Sequence, residues 1–151
     1  MSGPHPIPLK ESRLANGLRL ITVVDRTAPI ATVNLWYHVG SKDERPGRTG
    51  FAHLFEHLMF QGSANVSKAE HLSLIESVGG SANATTWLDR TNYFATVPAE
   101  WVELILWMEA DRLGTLLAAL AADRRTALII AAQGLAVGLL GAILFALIPL
   151  N

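Results

Sequence analysis

The chain has 151 residues, half of them apolar, with a net charge of -1 and no cysteine. That length suits a single domain with a real core, and near-neutrality without a long basic run argues against a nucleic-acid partner. Without thiols, neither a disulfide framework nor thiolate ligation is open, so any metal must be held by histidine and carboxylate.

Residues 1–12 carry Pro4, Pro6 and Pro8 and show no apolar run behind a basic start, so they read as a flexible arm unlike a secretory signal. An Asn16-Gly17 turn leads into a strand over Gly17–Val24, and after Pro29 a second strand, rich in β-branched and aromatic residues, covers Ile30–Val39. The two are expected to form a meander. A polar loop over 40–49 opens into an apolar helix from Phe51 to Phe60, closed near Gln61-Gly62. The next helix starts at Ser67, a suitable cap, and stops at Gly79-Gly80. Strands follow at Ser81–Trp87 and Thr91–Val97, separated by Leu88-Asp89-Arg90. A helix over Ala99–Leu117 carries Trp101, Leu104, Ile105 and Met108 at helical spacing, with Glu100 and Glu103 in its first turn. The order β-β-α-α-β-β-α predicts an α+β domain over 13–122, a mixed or antiparallel sheet covered by helices.

Every charged side chain lies at or before Arg125, and Ala127–Leu150 holds Gln133 as its only strongly polar side chain. Such a stretch is long enough to cross a bilayer, so 126–150 is expected to be a transmembrane helix; a buried soluble helix is the alternative. Arg124-Arg125 would keep the preceding domain on the cytoplasmic side. The Gly134 and Gly138 pair could support helix association in lipid.

The chemistry concentrates in His53-Leu54-Phe55-Glu56-His57. Positions three and four apart share a helix face, so two imidazoles and a carboxylate can converge on one point. A solvated polar stripe is the bland alternative. Against it, Phe51, Leu54, Phe55, Leu58, Met59 and Phe60 make the helix apolar nearly all round and place it inside the protein, where ionisable groups need partners. Two histidines at this spacing could hold zinc, which usually takes a third protein ligand and keeps one position open for water. His5, His38 and His71 fall outside any ligand spacing and read as surface or satisfied polar residues.

Several blocks, in order, resemble the N-terminal domain of the insulinase/pitrilysin (M16) family of zinc metallopeptidases: Leu14-Ala15-Asn16-Gly17-Leu18, Val39-Gly40-Ser41-Lys42-Asp43-Glu44, the run Gly50–Ser63 around the motif, Gly79–Thr86, Asp89–Phe94 and Glu109-Ala110-Asp111-Arg112. The likeness covers about residues 12 to 120 and stops there. It implies a zinc metalloendopeptidase in which His53 and His57 bind Zn2+ and Glu56, placed before the second ligand in this inverted motif, is the general base that activates water. It implies that Asn83, Ala84 and Thr85 lie on an edge strand that takes an extended peptide as an added strand; ordinary strand pairing is the alternative for these residues. Arg90, Asn92, Tyr93, Glu109, Asp111 and Arg112 are expected to be structural.

The family's third zinc ligand is a Glu roughly 75 to 80 residues past the second histidine. Here that window, Ala132–Val137, contains no carboxylate. Glu70 and Glu76 are the nearest substitutes, and nothing in their spacing favours ligation. A complete family domain is half as long again and works opposite a second, similar domain or subunit. Impaired catalysis on peptides or small proteins is therefore expected, or a non-catalytic, membrane-tethered subunit that binds a partner or peptide. The break at Arg125 fits either a frameshift, truncation or fusion, or a short form anchored by its apolar tail.

Overall fold

The computed structural model describes residues 9–47, 49–68 and 70–122. Its elements run β1 (Leu9–Arg13), β2 (Arg19–Val23), β3 (Ile30–Tyr37), α1 (Phe51–Leu58), α2 (Glu70–Ser77), β4 (Ser81–Thr86), β5 (Thr91–Pro98) and α3 (Val102–Ala122), with short 3₁₀ turns at Ser41–Asp43 and Ala99–Trp101. This is the predicted α+β class with antiparallel sheets and covering helices. The predicted span at 126–150 lies outside the described residues, among which no helix is long and apolar enough to cross a membrane.

The strand pairing differs from a meander. β1 and β2 form their own antiparallel ribbon, from Leu9 opposite Val23 to Arg13 opposite Arg19, closed by a turn in which Gly17 adopts φ 87° and Asn16 Oδ1 accepts the Leu18 amide. Leu9–Arg13, read from sequence as the end of a loose arm and the start of the domain, thus form a paired strand. The arm's prolines stop at Pro8, so every amide of Leu9–Arg13 is free to enter a ladder. β2 and β3 do not pair; β3 joins β5, and β4 takes the other side of β5, giving the order β3-β5-β4.

Side-chain alternation makes this second sheet two-faced. Val33 opposite Ala95, Leu35 opposite Tyr93, Ala82 opposite Ala95 and Ala84 opposite Tyr93 line the inner face. Ile75, Ala95, Val97, Ile105 and Met108 are buried together there, beneath α2 and α3. A second cluster, Met59, Ala84 and Tyr93, lies under α1 with Phe55, Leu58 and Phe60 packed around it. Each fully buried aliphatic side chain in such a core contributes about 1.5–3 kcal/mol. The outer face is a polar ladder: Asn92 Nδ2 donates to Asn34 Oδ1 at 3.0 Å, Arg90 donates to Thr85 Oγ1 and Asn92 Oδ1 at 2.6 Å each, and the Arg90 guanidinium lies 4.9 Å over the Trp36 ring. Arg90 and Asn92 are structural here, as expected.

Arg112 is 1% exposed and pairs with Glu109 one turn earlier on α3, its guanidinium 4.6 Å from the Tyr93 ring centre. Burial pushes the Glu109 carboxyl up, against the lowering effect of Arg112. His71, expected to be at the surface or satisfied, is 2% exposed, and neither ring nitrogen has a hydrogen-bond partner among the described residues. It lies edge-on to Phe60 with centroids 5.9 Å apart, because α2 turns that side of its helix onto the core.

Burial, with Arg112 nearby, pushes His71 down to about 4 from 6.5. Between those values the unfolded chain takes up a proton that the folded chain refuses, so stability is full above pH 6.5 and falls as pH drops toward 4. The urea unfolding midpoint should fall more between pH 7 and pH 4.5 in the native sequence than in a His71→Leu variant. Equal losses in the two would show that His71 is not the group responsible.

Candidate functional site

α1 begins without a side-chain cap of its own. Gly50 occupies the N-cap with φ 90°, a left-handed conformation suited to glycine, and has no side chain to accept the first amides. Glu44 fills that role from the preceding loop: Oε2 accepts the Gly50 amide at 2.9 Å and Oε1 the Ala52 amide at 2.8 Å. A carboxylate there also complements the positive end of the helix dipole. At the other end, Arg112 Nη1 donates to the Met59 carbonyl at 3.4 Å.

The helix is not buried all round, as its apolar sequence suggested. Ala52, Glu56 and Met59 face the sheet and are buried, whereas His53 and His57 are exposed. The reason is position: α1 lies along β4 at the sheet's edge, so one face is covered and the adjoining stripe opens outward. His53 and His57 sit one turn apart with Nε2 atoms 3.2 Å apart and ring centroids 4.7 Å apart. Two nitrogens sharing a tetrahedral zinc at about 2.0–2.1 Å would be roughly 3.3–3.4 Å apart, so the pair fits two positions around such an ion. A direct imidazole hydrogen bond fits the distance as well, and the ring tautomers decide its direction.

Glu56 is 9% exposed and accepts a hydrogen bond from the Thr86 hydroxyl through Oε2. Thr86 was quoted from sequence only as part of a block, yet period-two counting from the inward-facing Ala84 puts it on the same face. Glu44 left no comparable signal, because its partners are backbone amides brought near by the loop. Among the described residues, no group of three or more histidine, aspartate or glutamate side chains is placed to hold a metal. Glu70 does not offer itself: its carboxylate accepts both the Ser67 amide, at 2.9 Å, and the Ser67 hydroxyl, at 2.6 Å, which lowers its pKa. Glu76 is exposed. Ala132–Val137 lies outside the described residues.

An open cleft of about 640 Å³ runs beside His53, with His53 and Glu56 on one wall and Ala84, Thr85 and Thr86 on the other. β4 is an edge of the described sheet. Asn83 and Thr85 alternate onto the outer face with their side chains exposed, and Ala84 points inward and is buried. The Ala84 amide is taken by its neighbour's Asn83 Oδ1 at 2.8 Å, so the edge is partly capped by its own side chain.

Residues 19–124 match the family Insulinase (Peptidase family M16). An uncharacterized zinc protease of Streptomyces coelicolor is 39% identical over 98 residues, 64% of this chain and 21% of that protein. The zinc protease PqqE of Helicobacter pylori is 33% identical over 112 residues, 73% of this chain and 25% of its own length. The chain thus spans about a quarter or less of these relatives. Among solved structures, a protease from Helicobacter pylori superposes with a TM-score of 0.69 and 28% identity, covering 80% of this chain and 31% of its own. Pitrilysin superposes with a TM-score of 0.66 and 28% identity, covering 74% and 12%.

Replacing Glu44 removes both acceptors at the start of α1. Glu44→Ala should lower the unfolding free energy by about 1–2 kcal/mol, and Glu44→Gln, which keeps one acceptor, should lose less. Urea denaturation of the three proteins measures this; an Ala variant as stable as the parent would deny Glu44 the capping role.

Proposed function

Since the chain belongs to the insulinase family of peptidases, family M16, we propose that it carries the water-activating part of a zinc peptidase site, acting on peptides or small proteins in extended form. The observation that carries this reading is the arrangement on α1: two exposed imidazoles with converging Nε2 atoms, and beside them a carboxylate held by Thr86 at the wall of an open cleft. His53 and His57 would hold Zn2+, which when bound would supply Lewis acidity to water and to the peptide carbonyl.

The remaining work belongs to the protein's own groups. With Oε2 of Glu56 engaged by Thr86, Oε1 is the oxygen left to take a proton from the attacking water and pass it to the departing amine. The substrate lies along β4 as an added strand, exchanging main-chain hydrogen bonds with Asn83, Ala84 and Thr85, so recognition rests on backbone shape. To use the Ala84 amide, the peptide must displace the Asn83 side chain. A second insulinase-like domain or subunit would close the cleft from the far side, and the uncharged stretch 126–150 would hold the chain to a bilayer with its domain on the cytoplasmic side.

A second reading has its own support. The window that holds the family's third ligand, Ala132–Val137, has no carboxylate, and the described residues supply only the two histidines. A two-histidine site binds metal weakly, and the chain then acts as a non-catalytic, membrane-tethered subunit that uses the β4 edge to hold a peptide or partner.

Equilibrium dialysis of the full chain against zinc, with peptide cleavage followed in parallel, separates these. Weak zinc binding that His53→Ala or His57→Ala abolishes, with little or no cleavage, is the expected result. Full zinc binding by both variants would remove the histidines as ligands. Tight, stoichiometric zinc together with cleavage that Glu56→Gln abolishes would mean the site is complete and the second reading is wrong.

A further inference from the structure

The cleft continues past β4 into the turn that follows it, and there the surface changes character. Trp87 and Leu88 line the same cleft as His53 and Glu56, and they are 64% and 63% exposed. Two large apolar side chains standing in water beside a concave site call for an occupant, since such groups lose free energy by their exposure. Their backbone is fixed. The Ser41 amide donates to the Trp87 carbonyl at 3.0 Å, the Lys42 amide donates to the Leu88 carbonyl at 2.8 Å, and the Trp87 amide donates to the Arg90 carbonyl at 2.8 Å. Gly40 makes this approach possible: a Cβ there would lie 2.3 Å from the Trp87 carbonyl oxygen and 2.5 Å from that of Leu88.

The charges of the lining point the same way. Among the described residues of the lining the carboxylates are Glu56 and Glu44, and both oxygens of Glu44 are committed to the Gly50 and Ala52 amides. Among the described residues lining this end no carboxylate is free; Asp89, next in the turn, is exposed but is not part of the lining. A backbone held in place before binding loses little conformational entropy when a ligand arrives.

We infer that Trp87 and Leu88 form an apolar subsite that selects extended peptides carrying an aromatic or large aliphatic residue beside the stretch paired with β4. This rests on the reading of β4 as the peptide-receiving edge. It adds side-chain selectivity to recognition that main-chain pairing alone leaves indifferent to sequence. The position is open for the purpose, because strand addition brings the peptide along Ala84–Thr86 directly to the Trp87 turn.

The test is fluorescence anisotropy of labelled eight-residue peptides on the full chain without added metal, using a central Phe, Gly or Asp and one peptide N-methylated at alternate amides. The Phe peptide should bind about tenfold more tightly than the Gly peptide, and in Trp87→Ser or Leu88→Ser the gap should shrink to about threefold or less. Both side chains are exposed, and thermal melting of each variant checks that it folds. Equal affinity for Phe and Gly peptides, or a gap unchanged in both variants, overturns the subsite while leaving strand addition intact. Undiminished binding of the N-methylated peptide, or no binding by any peptide, overturns strand addition and the subsite with it.

Discussion

The hydroxyl of Thr86 resting on the carboxylate of Glu56 ties the helix that bears the histidines to the strand that borders the cleft. Its geometry follows from sheet register. Ala82, Ala84 and Thr86 share the inner face of β4, and the two alanines are small enough to let α1 lie close. A slip of β4 by one residue would turn Asn83 and Thr85 under the helix and carry Thr86 to the outside, stranding a buried carboxylate without a donor. The position of the candidate general base is therefore set by strand pairing, two elements away from the motif that contains it.

α1 is also held from both ends by charges outside it, each of the sign its dipole favours. Glu44 stands at the N-terminus and Arg112 at the C-terminal Met59 carbonyl. Arg112 is itself buried, paired with Glu109, stacked near Tyr93 and, among the described residues, left without a partner for its Nε. A buried ion pair is weak support for stability, because desolvation offsets most of the attraction. What it gives here is placement: the guanidinium joins α3, β5 and the end of α1, and its field opposes a second positive charge on His71. The histidines that are exposed and the histidine that is buried thus hang on the same helix-to-sheet framework.

Much of this was legible in the sequence. The class, the α1, α2, β4 and β5 segments, the structural use of Arg90 and Arg112 and the placing of His53 and His57 one turn apart on a helix all follow from periodicity, turn residues and ordered family-like blocks. The rest depended on what sequence order does not encode. Proline spacing marked the arm but not its end, so β1 was missed; adjacency in sequence suggested that β2 and β3 pair, whereas β3 has an inner face to cover and β5 supplies the matching one. Apolar flanks suggested a helix buried all round, but a helix at a sheet edge can hide Met59 and Glu56 while leaving His53 and His57 in water. His71 read as a surface or satisfied polar residue because a lone histidine in a polar helix carries no sign of which side will face the core.

The order β3-β5-β4 has a consequence for how the chain is made. The middle strand of the sheet is the last to be synthesised, since Ile30 pairs with Pro98 and β4 also needs β5. Their separation, 98 minus 30, is 68 residues. At translation rates of about 5–20 residues per second, β3 leaves the ribosome roughly 3–14 s before its partner exists. During that interval Val33, Leu35 and Tyr37 have no sheet to join, and α1 has no floor on which to set Glu56. The ribbon of β1 and β2, whose ladder closes over a few residues, is free to form at once, so a pair of strands that joins no strand of the larger sheet is the first that can fold.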